Sequence, residues 1–411
     1  MCANRRYFDS PAAMKDCMEI TTGVVLAAGE GTRLRPMTAN RPKTMLPAAD
    51  RPILEHVLDV LVECGIERLC LVVGYRRERI QEHFGHSYRD VPITYVHQTK
   101  QLGSAHALLQ AETELDGPVL VLNGDRAIDE RIVEDVLTEF DGTPTLAVLE
   151  HPTPTEYGAV EVTNGLVSKF VEKPDANDFR LINAGVYAFD PSVFDAISRT
   201  ERRDGELQLS DVIVTLMNDG DVKAVQADGL WVDATYPWDL LYLMRELLRR
   251  GRISHPEGDR DIWIAESARI HPAATLQPPV AIGEDSEVAA GAVLGPNVAV
   301  GYNATIGSNT TLRNVLLDSD CRIEAGTTLL DCVVGETTTI GAGTVAPGGP
   351  GDVRVGATVF EDQRLGAVIA DRVSVGGGVT FDPGTLVGAN VTIGSGVYVD
   401  GTIDDDTEVV R

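Results

Sequence analysis

At 411 residues the chain exceeds one ordinary core, so two domains are expected, and its 43% apolar content is that of a folded chain rather than a disordered one. A formal charge of −27, with only 6 lysines among 35 basic residues, repels nucleic acid and acidic membranes and leaves a free small molecule as the expected partner. Such a surface suits high salt, where the Debye length shortens to ~3 Å at 1 M, and a halophilic source is expected.

The opening stretch, residues 1–18 (MCANRRYFDSPAAMKDCM), reads either as a loose tail or as an over-long start with Met14 or Met18 as the initiator. It lacks the apolar core of a signal peptide, and no apolar run along the chain reaches the ~20 residues of a membrane span. A cytoplasmic protein is expected. Cys2, Cys17, Cys64, Cys70, Cys321 and Cys332 have no zinc spacing, and a chain of this size needs no disulfide staples, so reduced, mostly buried thiols are expected.

Residues 19–250 alternate short β runs with helix-length amphipathic runs. The strands are Gly23–Ala28, Leu69–Tyr75, Ile93–Gln98 and Val119–Asn123, and the helices Ile53–Cys64, Arg77–Phe84 and Ser104–Leu115. This alternation predicts a Rossmann-like α/β domain, a mostly parallel sheet with helices on both faces and ligands at the strands' carboxyl ends. Residues 251–262 are polar and turn-rich, as a linker would be. From 263 to 411 aliphatic residues recur every six positions, from Ile264, Ile270 and Leu276 through Leu312, and again from Ile369 through Phe381 to Val399. A six-residue period with Gly or Ala beside the aliphatic residue predicts a hexapeptide-repeat, left-handed parallel β-helix. Pro347–Arg364 breaks the phase and reads as a loop leaving the coil.

The chemistry concentrates in Leu26–Pro47, LAAGEGTRLRPMTANRPKTMLP. No Gly-Lys-Ser/Thr closes it as in a Walker loop, and the third glycine of a dinucleotide fingerprint is missing. Gly29 and Gly31 let backbone amides approach a triphosphate, while Arg33 and Lys43 place two cations where charge develops as pyrophosphate leaves. The segment resembles the signature of the sugar-1-phosphate nucleotidylyltransferases, the family of glucose-1-phosphate thymidylyltransferases and bifunctional N-acetylglucosamine-1-phosphate uridylyltransferases. The similarity continues through HQTKQLGSAHA, VLVLNGD, EYGAVEV, FVEKP, INAGVYAF and LWVDATYPWDLL.

That resemblance implies Arg33 and Lys43 as catalytic residues, and Ala28, Gly29, Gly31, Gln98, Gly103 and Ser104 as nucleotide contacts. It implies Tyr157, Gly158, Glu172, Lys173 and Asn183 as sugar contacts, with Asp125 and Asp233 as carboxylates for Mg²⁺. The substrates implied are UTP or dTTP and a sugar 1-phosphate, glucose 1-phosphate first. A Gln amide suits the imide face of a pyrimidine. His106 is expected to pack rather than catalyse, Asp239 to be a helix-capping or surface acid where Pro237 marks a helix start, and Arg126 either to point away or to alter phosphate contacts. The β-helix implies a homotrimer. In bifunctional relatives it carries an acetyltransferase, but aligning GAGT at Gly341–Thr344 puts Ala325, Thr328 and Gly348 at that site's His, Tyr and Asn. A single activity on a scaffold β-helix is therefore expected, the alternatives being a bifunctional enzyme or a non-catalytic regulatory subunit.

Overall fold

The computed structural model describes residues 19–176 and 178–410. The readings of residues 1–18, with Cys2 and Cys17, lie outside the described residues. By packing, the chain forms two compact units: residues 19–29 with Leu54–Trp231, and Glu30–Ile53 with the residues from Val232 onward. The grouping follows spatial contact rather than chain order, and it places most of the glycine-rich segment with the β-helix.

The first unit is built on a ten-stranded sheet. Its parallel nucleus is Thr22–Ala27 (β1), Arg68–Val73 (β2), Val91–His97 (β3) and Val119–Asn123 (β4), with β1 between β2 and β4 and β3 beyond β2. The continuous apolar runs of β1 and β4 follow from burial on both faces. Helices Ile53–Glu63 and Arg77–Phe84 form where the periodicity predicts them; the run from Ser104 is helical to Gln110 and ends in a 3-10 turn at Glu112–Glu114. Beyond β4 the sheet continues mainly through antiparallel pairings, with Lys223–Gln226 parallel to Thr145–Glu150, and strand–helix alternation does not anticipate the antiparallel ones. One of these hairpins has a plain local cause. Asn164 (φ 55°) and Gly165 (φ 78°) form a two-residue turn with both φ angles positive, the geometry that Asn-Gly favours, and it joins Gly158–Thr163 to Leu166–Glu172.

The second unit contains a parallel β-helix of three strand ladders. Ile264 pairs with Ile282, Ile270 with Val288 and Leu276 with Leu294, so three six-residue repeats make one coil of 18 residues. The repeating aliphatic side chains stack inward, and Ile282, Val288, Leu294, Val300, Ile306 and Leu312 are each at most 2% exposed. Each such burial contributes roughly 1.5–3 kcal/mol before chain entropy is charged against it.

The irregular middle has a simple origin. Leu312 pairs with Leu329 and Leu329 with Ala346, 17 residues apart rather than 18. Each of these coils turns one corner with a single left-handed residue, Asn314 (φ 53°) and Asp331 (φ 55°). Helix Asp239–Arg249 packs on the strands that carry them, Thr311–Leu317 and Thr328–Val334. There Arg245 donates to Asn314 Oδ1 at 3.3 Å, and Asn314 Nδ2 donates to Asp331 Oδ1 at 2.6 Å. Gly351–Val355 and Thr358–Gln363 then leave the coil as an antiparallel hairpin before the 18-residue spacing resumes at Ile369–Val387.

Candidate active site

The residues singled out from sequence fall into both units, and each group is coherent within its own. In the first unit Ala28 and Gly29 follow β1 directly. The Ala28 carbonyl accepts from Gln101 Nε2 at 2.9 Å and from the Tyr75 amide at 3.3 Å, while Gly29 is exposed and a Cβ there would meet nothing within 4 Å. Gln98, just past β3, is buried, and both its amide hydrogens are engaged within the protein. Its Nε2 donates to Gly103 O at 3.0 Å and meets His106 Nδ1 at 2.9 Å. Burial first, and the charge of Arg202 second, push the His106 pKa down, so the ring is neutral at pH 7 and its Nδ1 can accept. The packing role expected of His106 is thereby given a partner, and Gln98 keeps its carbonyl oxygen for a donor. Ser104 serves a structural tie: its hydroxyl donates to Gln208 Oε1 at 2.9 Å and accepts from the Leu209 amide at 2.9 Å.

Asp125 is half-buried two residues past the end of β4. Arg126, beside it, reaches Ala184 and Trp231. Its Nη1 donates to Ala184 O at 3.1 Å and its guanidinium lies 5.1 Å over the Trp231 ring. Trp231 also donates Nε1–H to Ala184 O at 2.8 Å and meets Tyr157 and His151 edge-on at 5.2 and 5.6 Å. Tyr157 is thus one wall of an aromatic cluster. Its carbonyl accepts from the Lys173 amide at 3.0 Å, and Gly158 lies opposite Glu172 in the strand register. Asn183 sits where the register shifts: Nδ2 donates to Tyr187 Oη at 2.6 Å and Oδ1 accepts from the Gly185 amide at 3.1 Å. Such an irregularity re-aims side chains locally. Tyr157, Gly158, Glu172 and Lys173 therefore come together, whereas Trp231, His151 and the direction of Arg126 were not legible. Trp231 stands two residues before Asp233 in LWVDATYPWDLL, yet a lone aromatic in a strand more often signals core.

In the second unit Gly31 adopts φ 66°, and a Cβ on it would lie 2.8 Å from Lys43 Cβ. Both facts demand glycine. The chain then makes a 3-10 turn, Thr32–Leu34, and Thr38 donates to Gly31 O at 2.9 Å. Leu34, Met37, Met45 and Leu46 anchor the segment by burial. Arg33 projects into solvent with its guanidinium 5.9 Å from the Tyr236 ring centre. Lys43 is buried, and its Nζ donates to Asp233 Oδ1 at 2.6 Å; the two side chains are 11% and 9% exposed. An ammonium this desolvated needs a carboxylate, and removing either member of such a pair costs roughly 3–5 kcal/mol.

Asp239 does not cap the helix: it is the first helical residue, after Trp238 at the N-cap, and its Oδ2 instead accepts from the Thr235 and Tyr236 amides of the preceding turn at 2.9 and 2.7 Å. Burial, reinforced by Asp233, pushes its pKa up to about 6. Arg41, inside the signature but given no role by it, is buried between Asp318 and Asp371 of the β-helix. Burial pulls its pKa down, and Asp318, Asp371 and Glu336 together more than reverse that, holding it above the usual arginine value.

Among the described residues no group of three or more His, Cys, Asp or Glu is placed to hold a metal unaided, and no helix is long and apolar enough to cross a membrane. Magnesium is ordinarily taken by one or two carboxylates with substrate phosphates rather than by an all-protein cage. Asp125 and Asp233 are hard oxygen donors of that kind. On the β-helix, Ala325 is exposed at a corner, where its carbonyl accepts from the Gly343 amide at 3.0 Å.

Residues 22–249 match the family described as Nucleotidyl transferase, and residues 276–360 match the GMPPB C-terminal domain. The chain is 31% identical to the "Bifunctional protein GlmU" of Methanococcus maripaludis over 94% of its own length and 97% of the relative's. It is 38% identical to the "UTP--glucose-1-phosphate uridylyltransferase AglF" of Haloferax volcanii over 53% of this chain and 92% of that one. A UDP-glucose pyrophosphorylase solved with UDP-glucose superposes with a TM-score of 0.52 at 23% identity, covering 56% of this chain and 99% of that one, a likeness of fold. The chain belongs to the nucleotidyl transferase family and is a nucleotidyltransferase of the sugar-1-phosphate type.

Proposed function

We propose that the protein is a magnesium-dependent sugar-1-phosphate nucleotidylyltransferase that joins UTP or dTTP to glucose 1-phosphate and releases pyrophosphate. The observation that carries this is Lys43: a buried ammonium, fixed under a glycine that must be glycine and steadied by Asp233, suits the neutralisation of phosphate charge. Gln98 supports a base with a ring N–H, since its remaining carbonyl oxygen can only accept. The similarity to a UTP–glucose-1-phosphate uridylyltransferase supports the substrate pair.

The reaction is an in-line displacement. A phosphate oxygen of the sugar phosphate attacks the α-phosphorus, the bond to the β-phosphate bridge breaks, and pyrophosphate leaves. The nucleophile is already anionic, so no general base is required. Arg33 and Lys43 neutralise the triphosphate, Ala28, Gly29, Gly31, Gln98, Gly103 and Ser104 shape the nucleotide side, and Tyr157, Gly158, Glu172, Lys173 and Asn183 shape the sugar side. Magnesium would supply positive charge to offset that of the phosphates, and Asp125 and Asp233 are the residues that would hold it.

The enzyme acts as a halophilic, cytoplasmic homotrimer assembled through the β-helix, whose 7 arginines against 19 acids from Trp263 onward favour self-association only where salt screens them. The test is a pyrophosphate-release screen of four nucleotides against glucose, galactose, mannose and N-acetylglucosamine 1-phosphates, in high and low KCl, with and without EDTA. Release with UTP or dTTP and glucose 1-phosphate, abolished by EDTA, is expected. No release with any pair would overturn the reading. The alternative of a second, acetyl-transferring activity is raised by the similarity to a bifunctional relative over 94% of this chain. Thiol release from acetyl-CoA with an amino-sugar phosphate tests it, and no release is expected because Ala325 offers no base.

A further inference from the structure

The signature segment carries four cationic residues: Arg33 and Lys43, assigned to chemistry, the exposed Arg35, and Arg41, which faces the β-helix instead. Arg41 Nη1 donates to Asp318 Oδ2 at 2.5 Å, and Nη2 donates to Asp371 Oδ1. These acids lie 277 and 330 residues further along the chain, on different coils, and their side chains are 12% and 2% exposed. Asp371 Oδ1 also accepts from the Glu336 amide at 3.1 Å, so the same carboxylate ties a third coil into the cluster. Two residues on, Lys43 opens the short 3-10 turn Lys43–Met45 and reaches Asp233.

A second link runs from the β-helix to the other cation. Phe360, on the hairpin that leaves the coil, packs at 4.7 Å from Tyr236 and 5.2 Å from Trp238, which stack on each other at 4.9 Å. Tyr236 is the ring against which Arg33 rests. Lys43 is thus tied to the coils through its near neighbour Arg41, and Arg33, through Tyr236, to the hairpin that leaves them.

We propose that Arg41, held by Asp318 and Asp371, is a positioning residue through which the β-helix fixes the catalytic segment, with Phe360 as a second brace behind Arg33. The proposal rests on the nucleotidyl-transfer reading for its kinetic consequence, but not for its structural one. A guanidinium anchored at two points defines an orientation as well as a distance, which a lysine cannot do. Displacement of a catalytic charge by about 1 Å is enough to cost about 100-fold in rate.

The test uses the full-length chain with Asp371→Asn, Asp318→Asn, Arg41→Lys and Phe360→Ala, each scored for melting temperature, hydrogen exchange of residues 30–53, and kcat and KM for pyrophosphate release. For the folded aspartate variants, exchange in residues 30–53 should rise at least tenfold while the coil strands keep their protection. The value of kcat should fall 10–100-fold with KM moving less than threefold. Arg41→Lys should fall between wild type and the aspartate variants, and Phe360→Ala should lower kcat about threefold to tenfold. Asp318→Asn, at the more exposed acid, serves if Asp371→Asn does not fold. Unchanged exchange in residues 30–53 of a folded variant overturns the proposal, as does faster exchange with unaltered kcat. A wild type that releases no pyrophosphate with any substrate pair defeats the proposed function instead, and the exchange measurement then decides the inference alone.

Discussion

Replacing Lys43 with methionine keeps most of the side chain's length and apolar volume and deletes its charge. Two losses follow from one change, and they can be separated. For stability, the Asp233 carboxylate, 9% exposed and 2.6 Å from the ammonium, stays buried without that counter-charge, at a cost of about 3–5 kcal/mol. For catalysis, removing a preorganised charge from the developing pyrophosphate costs about 3–4 kcal/mol, or roughly 10²–10³ in kcat. Asp233→Asn, combined with Lys43→Met, removes the buried negative charge as well, so the double variant should melt higher than Lys43→Met alone. The coupling energy from the four-member cycle should be about 1–3 kcal/mol. Its rate should not recover, because neither the ammonium nor the proposed magnesium carboxylate is restored. Thermal melts and single-turnover pyrophosphate release on all four proteins provide the comparison. A Lys43→Met enzyme within threefold of wild type, or a double variant that regains both stability and rate, would refute the reasoning.

Gly31→Ala should lower kcat about 10–100-fold with a modest loss of stability, since an L side chain at φ 66° costs roughly 1–2 kcal/mol and the new Cβ displaces Lys43 from 2.8 Å; steady-state kinetics and a melt check it. Asp239 has its folded pKa raised from 3.8 to about 6, so its stabilising contribution is complete below about pH 3.8 and is lost as pH rises through about 6. Relative to Asp239→Asn, which cannot titrate, the wild type should lose about 2–3 kcal/mol between pH 4 and 7.5, and parallel melting curves across that range would contradict this. Burial pushes the thiols of Cys70 and Cys332 up to about 12, and Cys321 is buried as well, so alkylation of the native protein at pH 8 should leave all three unmodified. Peptide mapping should find Cys64, which is half-exposed, the first of the described cysteines to react, although its own thiol is also raised to about 12.

Periodicity and local motif chemistry were sufficient for much of the architecture. Six-residue spacing marked the β-helix because each coil repeats the same inward column, and the parallel nucleus was legible because β1 and β4 are apolar on both faces. Lys43, Arg33 and Asp125 could be singled out because glycines, cations and a strand-end carboxylate occur in an order that phosphate handling demands. The Asn-Gly turn at Asn164 was equally readable and pointed to a hairpin that the strand–helix reading passed over. Other features have no local signature. The 17-residue coils depend on single left-handed corners at Asn314 and Asp331, whose pairing with each other and with Arg245 exists only once the coils are stacked. Arg41 has partners 277 and 330 residues away, and in one dimension it is an ordinary arginine before a proline. Composition and spacing report the free energy of local conformation and burial. Which distant charges meet is decided by the folded chain, because a buried ion pair acquires its strength only from the low-dielectric surroundings that folding creates.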